Sequence, residues 1–166
     1  MRDRFLILVA VLGLCAVHAD ARENRQAAGT AAGYQVVKVC PLVSVAEVKK
    51  FAPWAPQLDA LAKAEEEALG NYGSSCNFPT VHVQVMSYRP QTIESAKKAR
   101  RQDPVSGVGD EAYVANKRDE YAELIARVGP HLLTVQMDIG TGKTFDAVKP
   151  SLVELARLFV TKLRGK

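Results

Sequence analysis

Polar and apolar positions divide the chain into a long apolar run, a small-residue spacer and a body of short alternating patterns. Phe5 to Val17 is almost unbroken in apolar character and follows Arg2 and Arg4; Ala19-Asp20-Ala21 comes next, with Val17-His18-Ala19 as a second small-residue site. A basic start, a short apolar run and small residues at the cut are the layout of a secretory signal peptide, so a signal over residues 1–19 is expected, cleaved after Ala19 or Ala21. The run falls short of the about 20 apolar residues of a membrane helix, which disfavours an uncleaved anchor and leaves no membrane span after cleavage. Acylation at Cys15 would require small residues before it, where Leu14 stands. Residues 20–33, rich in Ala and Gly, read as a flexible spacer ahead of a folded domain over 34–166.

Within that domain, Tyr34 to Val39 is a short apolar stretch leading to Cys40. Ser44 and Glu47 stand in the capping-box spacing, which predicts a helix start. Helical spacing of Leu58, Leu61, Ala62, Ala68 and Leu69, interrupted by Pro53 and Pro56 around Trp54, predicts a broken helical segment over 45–69. Asn71 to Ser75 is turn chemistry. Val81, Val83 and Val85 then alternate with His82, Gln84 and Met86, the clearest strand, over 79–88, with His82 on its polar side. Thr92 to about Gln102 reads as a polar surface helix with Ile93, Ala96 and Ala99 on its apolar side. Two more strands are expected over 111–116 and 121–128, the second joined through Gly129-Pro130 to Leu132–Asp138 as a hairpin. Val148, Leu152, Leu155, Ala156, Phe159, Val160 and Leu163 define one apolar face of a closing helix. The sum is a single α+β domain: an antiparallel sheet of about four strands with helices packed mainly on one face.

Composition narrows the class without naming a reaction. A chain of 166 residues, less a signal, fits one core, and 48% hydrophobic with 24% charged residues is ordinary for a soluble domain. Signal removal discards Cys15 and leaves Cys40 and Cys76, an even pair bound for an oxidising compartment, so a disulfide is expected. Its loop of about 35 residues would contribute roughly 3–4 kcal/mol in the chain-entropy model. Neither cysteine sits in a Cys-x-x-Cys pair and only His82 and His131 remain as imidazoles, so no metal site is assigned. The mature chain carries 20 Lys and Arg against 17 Asp and Glu. That mild excess is densest at Lys97, Lys98, Arg100 and Arg101, spread around a helix without interleaved aromatics, which speaks against nucleic acid.

The candidate motifs mostly fail their geometric requirements. Gly140-Thr141-Gly142-Lys143-Thr144 would be the end of a phosphate loop only if position 137 were glycine, and Met137 stands there. It reads as a turn, and no cofactor is assigned. Ser106 is in no nucleophile elbow, and with no assembled triad no catalytic residue is assigned. Gly107-Val108-Gly109-Asp110-Glu111-Ala112-Tyr113 is the most distinctive stretch, two glycines and an acid setting a tight turn before an aromatic strand. Taken with Cys40-Pro41-Leu42 before a helix, Cys76-Asn77-Phe78 before a strand and the Leu/Ala-rich last helix, it resembles the exported sensor-like domains of bacterial lipoproteins. The likeness spans roughly residues 38–163 and implies a disulfide-tied α+β domain with a groove, and no reaction. A lipid-attachment motif and a second cysteine pair are missing from this chain.

The function expected from these residues is a periplasmic or secreted non-enzymatic binding module. It would contact a protein or cell-envelope ligand through its sheet or through the cleft beside the Gly107–Tyr113 turn. Candidate binding residues are Trp54, Asp110, Glu111 and Tyr113. The rival reading is a small hydrolase or lyase using Asp110 and Glu111 with His82 or His131; a secreted effector or inhibitor anchored by Trp54 is the third. Oligomeric state is left open.

Overall fold

The computed structural model describes residues 34–54, 63–99 and 102–166. The signal and spacer, the helical expectation over 55–62, and Arg100 and Arg101 lie outside them. Cys40–Leu42 forms a single 3-10 turn, followed by α1 (Val45–Lys49), β1 (Glu65–Ala68), β2 (Gly73–Phe78), β3 (Val81–Ser87) and α2 (Pro90–Lys98). Then come β4 (Gln102–Pro104), β5 (Glu111–Lys117), β6 (Tyr121–Val128), β7 (His131–Asp138) and α3 (Phe145–Arg164). All seven strands join one sheet in the order β1-β2-β3-β7-β6-β5-β4. Every pairing is antiparallel.

The mixed α/β class and the antiparallel sheet agree with the sequence reading; the strand count does not, being seven and not about four. The additional strands have identifiable causes. β2 contains Gly-Ser-Ser, which locally signals a turn, yet it lies between β1 and β3 and its backbone is paired on both sides. Small residues suit that position: a Cβ on Gly73 would lie 2.1 Å from the Val85 carbonyl oxygen. β1 is helical by residue spacing but pairs along the sheet edge, where Glu66 accepts hydrogen bonds from the Val39 and Cys40 amides at 2.8 and 2.7 Å. Those long-range bonds hold it extended and override a helical preference worth only tenths of a kcal/mol per residue. β4 is a three-residue edge strand ending in Pro104, an edge position that tolerates the missing donor.

Ser44 and Glu47 form the reciprocal capping box at the start of α1, which nonetheless ends after five residues. The seven apolar positions read from the sequence of α3 are all buried, and α3 packs on β6 and β7. Phe159, Leu152, Leu155, Val83, Val85, Leu124, Leu133, Val135 and Met137 share the core beneath it with Val39 and Val48. Cys40 and Cys76 are joined by a disulfide with Cα atoms 5.1 Å apart, tying the entry segment to β2. The helices are divided between faces: α2 lies across β6 on the side opposite α3, with Ile93 and Ala96 buried. No helix among the described residues is long and apolar enough to cross a membrane.

Candidate functional site

Side chains alternate between faces along a strand, and directly paired residues share a face. Because Val81, Val83 and Val85 enter the core under α3, His82, Gln84 and Met86 stand on the outer face. The register extends that face across the sheet in rows. One row runs Asn77, His82, Gln136, Glu123, Ala115 and Gln102. His82 Nδ1 lies 3.3 Å from Gln136 Oε1, Gln136 Nε2 donates to Glu123 at 2.8 Å, and Lys117 Nζ stands 2.8 Å from the other Glu123 oxygen. Glu123 is 9% exposed, and a carboxylate that far from water requires this pairing. The result is a polar ladder across the middle of the outer face.

Four residues further along the strands the chemistry changes. Gly73, Met86, Leu132, Arg127 and Glu111 form the corresponding row. α2 covers the β6 side of this region and leaves a groove of about 440 Å³ beside its N-terminus, lined by Leu69, Tyr72, Gln84, Met86, Ser87, Arg89, Thr92 and Leu132. Ser87 and Leu132 are buried at its floor, while Arg89 is exposed at the rim with its guanidinium 5.2 Å from the centre of the Tyr72 ring. Thr92 belongs to the first turn of α2, which begins at Pro90 with no side-chain cap and no acidic residue. A volume of this size falls in the usual range for small-molecule sites, and apolar walls with a few polar groups are their usual composition.

The candidate residues named from the sequence occupy three separate places. Gly109, at φ +62°, has no room for a Cβ, which would lie 2.2 Å from the Arg127 carbonyl oxygen; the tight approach lets Asp110 N donate to that oxygen at 2.8 Å. Asp110 then accepts from Gly129 N at 2.8 Å and from Arg164, in the last turn of α3, at 3.0 Å. The Gly129 amide, followed by the Arg164 guanidinium, holds its carboxyl below the ordinary carboxylate range. Glu111 bonds to the Tyr113 hydroxyl at 2.9 Å and to Lys97 of α2 at 3.0 Å, and so belongs to the α2 side of the sheet. Lys97 and then Tyr113 keep its carboxyl ionised to lower pH, and burial first, then Glu111, raises the Tyr113 phenol. Trp54 sits beside Gly140, 5.5 Å from Lys143 Nζ, at the start of α3. Asp110 is at the other end of that 20-residue helix, about 30 Å away at 1.5 Å per residue.

A smaller cleft of about 300 Å³ at the Asp110 end is lined by Val128, Gly129, Pro130, His131, Leu163 and Arg164 as well. His131 Nδ1 is 3.2 Å from the Tyr34 hydroxyl and the rings meet edge to face. Burial lowers the imidazole and pushes the Tyr34 phenol up to about 12. His131 thus shares a cleft with Asp110, but both Asp110 oxygens are engaged and Glu111 projects toward α2. His82 belongs to the ladder. Of the acids and imidazoles proposed for acid–base work, Asp110 and His131 thus line one cleft, while Glu111 and His82 lie apart from it on the outer face of the sheet. Among the described residues no group of three His, Cys, Asp or Glu side chains is close enough to hold a metal ion.

The sequence reading did not single out the groove. Its signals were present in the strand patterns: Met86 interrupts the polar side of β3, and Leu132 beside Leu133 places one leucine on each face of β7. Arg89 and Tyr72 meet only in space. Together these features define a disulfide-closed, single-sheet α+β domain with one covered face and one partly open face. Comparison with protein-family models, curated proteins and solved structures finds no match to this chain.

Proposed function

We propose that this chain is an exported, non-enzymatic binding module that contacts a cell-envelope or protein ligand through the outer face of its sheet. The observation that carries the reading is the incomplete cover on that face. α2 shields β6, while the half-buried Met86 in the groove and His82 and Gln136 of the ladder stay accessible beside it. An antiparallel sheet can face water with one polar side, so the ladder alone needs no ligand. The groove is different, because partly exposed apolar side chains such as Met86, Leu69 and Tyr72 gain free energy when covered.

Export and the periplasmic or secreted location rest on the signal-like N-terminal sequence. The Cys40–Cys76 disulfide is compatible with them, since such bonds persist in oxidising compartments. The module would recognise its partner with the rows headed by His82 and Met86 in place of Trp54, whose ring already has Lys143 beside it.

The test is amide-resolved NMR of the isotopically labelled protein titrated with a detergent-free extract of cell-envelope contents. Shifts should concentrate on β2, β3, β7 and the first turn of α2, and should vanish in Met86→Trp. Shifts confined to the Asp110–His131 end, or none at all, would overturn the reading.

A further inference from the structure

The groove contains more than apolar surface, and its one charged lining side chain, Arg89, is a cation. Arg89 makes no ion pair or hydrogen bond to a carboxylate among the described residues; its guanidinium lies over the face of Tyr72. Thr92, also in the lining, lies in the first turn of α2, which holds no acidic residue to oppose that charge. No carboxylate is among the lining residues. The floor opposite is Met86 and Leu132, with Leu69 and the Tyr72 ring as walls.

We infer that the groove binds an amphiphile with a single anionic head, and that its natural class is a medium-chain acyl carboxylate. Resting on the binding-face reading above, this supplies its ligand chemistry. The head would lie against the Arg89 guanidinium, a planar donor whose geometry matches a carboxylate. The acyl chain would run over Met86 and Leu132 toward Gln84. Methionine adapts its shape readily, which suits a site for chains of unequal length. The arrangement is complementary in charge at one end and apolar at the other, and the about 440 Å³ available matches a small molecule and not a folded partner.

Isothermal titration of the purified mature protein with hexanoate, octanoate, decanoate and dodecanoate, each kept below its micelle concentration, tests the inference against the corresponding alcohols. Affinity should rise about fourfold per methylene while the chain still gains cover, and then level off. Arg89→Gln should weaken carboxylate binding about tenfold and leave the alcohols unchanged, as expected for loss of a hydrogen bond to a charged group. Met86→Trp should abolish both, with circular dichroism and thermal midpoint retained to show that it folds. Because Met86 is only half-buried, Met86→Gln provides a milder second variant, expected to weaken both classes severalfold.

Equal binding of alcohols and carboxylates, or insensitivity to Arg89→Gln, would overturn the anionic-head assignment. A dimer in sedimentation that Met86→Trp converts to monomer would overturn it differently, by showing that a second copy fills the groove. If no acyl compound binds while envelope extract still shifts the outer-face amides, the ligand class fails and the binding face stands. Failure of both titrations would remove both.

Discussion

Reduction of the Cys40–Cys76 bond is the perturbation whose effect can be worked most directly from the structure. The bond closes a loop of sequence separation 36, for which the chain-entropy relation gives about 4 kcal/mol of stabilisation at room temperature. That contribution acts mainly by restricting the unfolded chain, so the folded contacts should survive reduction. They have other supports: Val39, Val48 and Ala52 are fully buried, and Glu66 holds the Val39 and Cys40 amides. Urea unfolding of the same protein, oxidised and then kept reduced, should show a loss of about 3–4 kcal/mol. With ordinary slopes of roughly 1–3 kcal/mol per molar urea, the midpoint should fall by about 1–4 M. Against a typical total stability of about 5–15 kcal/mol, the reduced protein should still fold in water, with little margin. Amide exchange in β6 and β7 should quicken along with that of Val39 to Ala52, because the loss is global. A decrease below about 1 kcal/mol would refute the reasoning, as would fast exchange confined to the entry segment. Either result would mean that residues 34–54 are held by burial alone or detach independently of the sheet.

Two further predictions concern the sheet and its end. Gly73→Ala places a methyl carbon where the Val85 carbonyl oxygen already stands, so β2 must separate from β3; a cost of about 1–3 kcal/mol or more is expected, read as a lower thermal midpoint. Asp110 has a carboxyl pKa depressed in the folded state by Gly129 and Arg164. Its contribution is therefore fully present above the ordinary value of 3.8 and is lost as pH falls through the lower folded value. Asp110→Asn should remove that part of the acid dependence, so thermal midpoints of the two proteins, measured from neutral to strongly acid pH, should converge toward the acid end. Parallel profiles would show that the carboxylate contacts contribute nothing.

Much of the fold was legible where one local pattern and one environment agree. The period-two alternation of Val81, Val83 and Val85 is a burial pattern, and one face of β3 is buried accordingly. The Gly129-Pro130 turn and the apolar stripe of α3 likewise follow from short-range chemistry, as does the cap formed by Ser44 and Glu47. Legibility failed where long-range partners decide conformation. Gly73-Ser74-Ser75 is a strand because β1 and β3 pair with it, and Glu65–Ala68 is extended because Cys76 and its neighbours lie opposite. The candidate site shows the same division. Asp110 and Glu111 were conspicuous as neighbours in sequence, yet adjacent residues in a strand region project to opposite faces, and the two acids bond to different helices.

By itself the sequence determined the α+β class, the cysteine pair able to close the domain, the strongest strands and the buried side of the last helix, because each follows from periodicity, composition or turn chemistry within a few residues. The tertiary structure alone decided the seven-stranded order, the placement of α2 opposite α3, and the meeting of Tyr72, Met86, Arg89 and Leu132 around one groove. Those outcomes depend on pairing between segments far apart in the chain, where backbone hydrogen bonds and shared burial outweigh local preference.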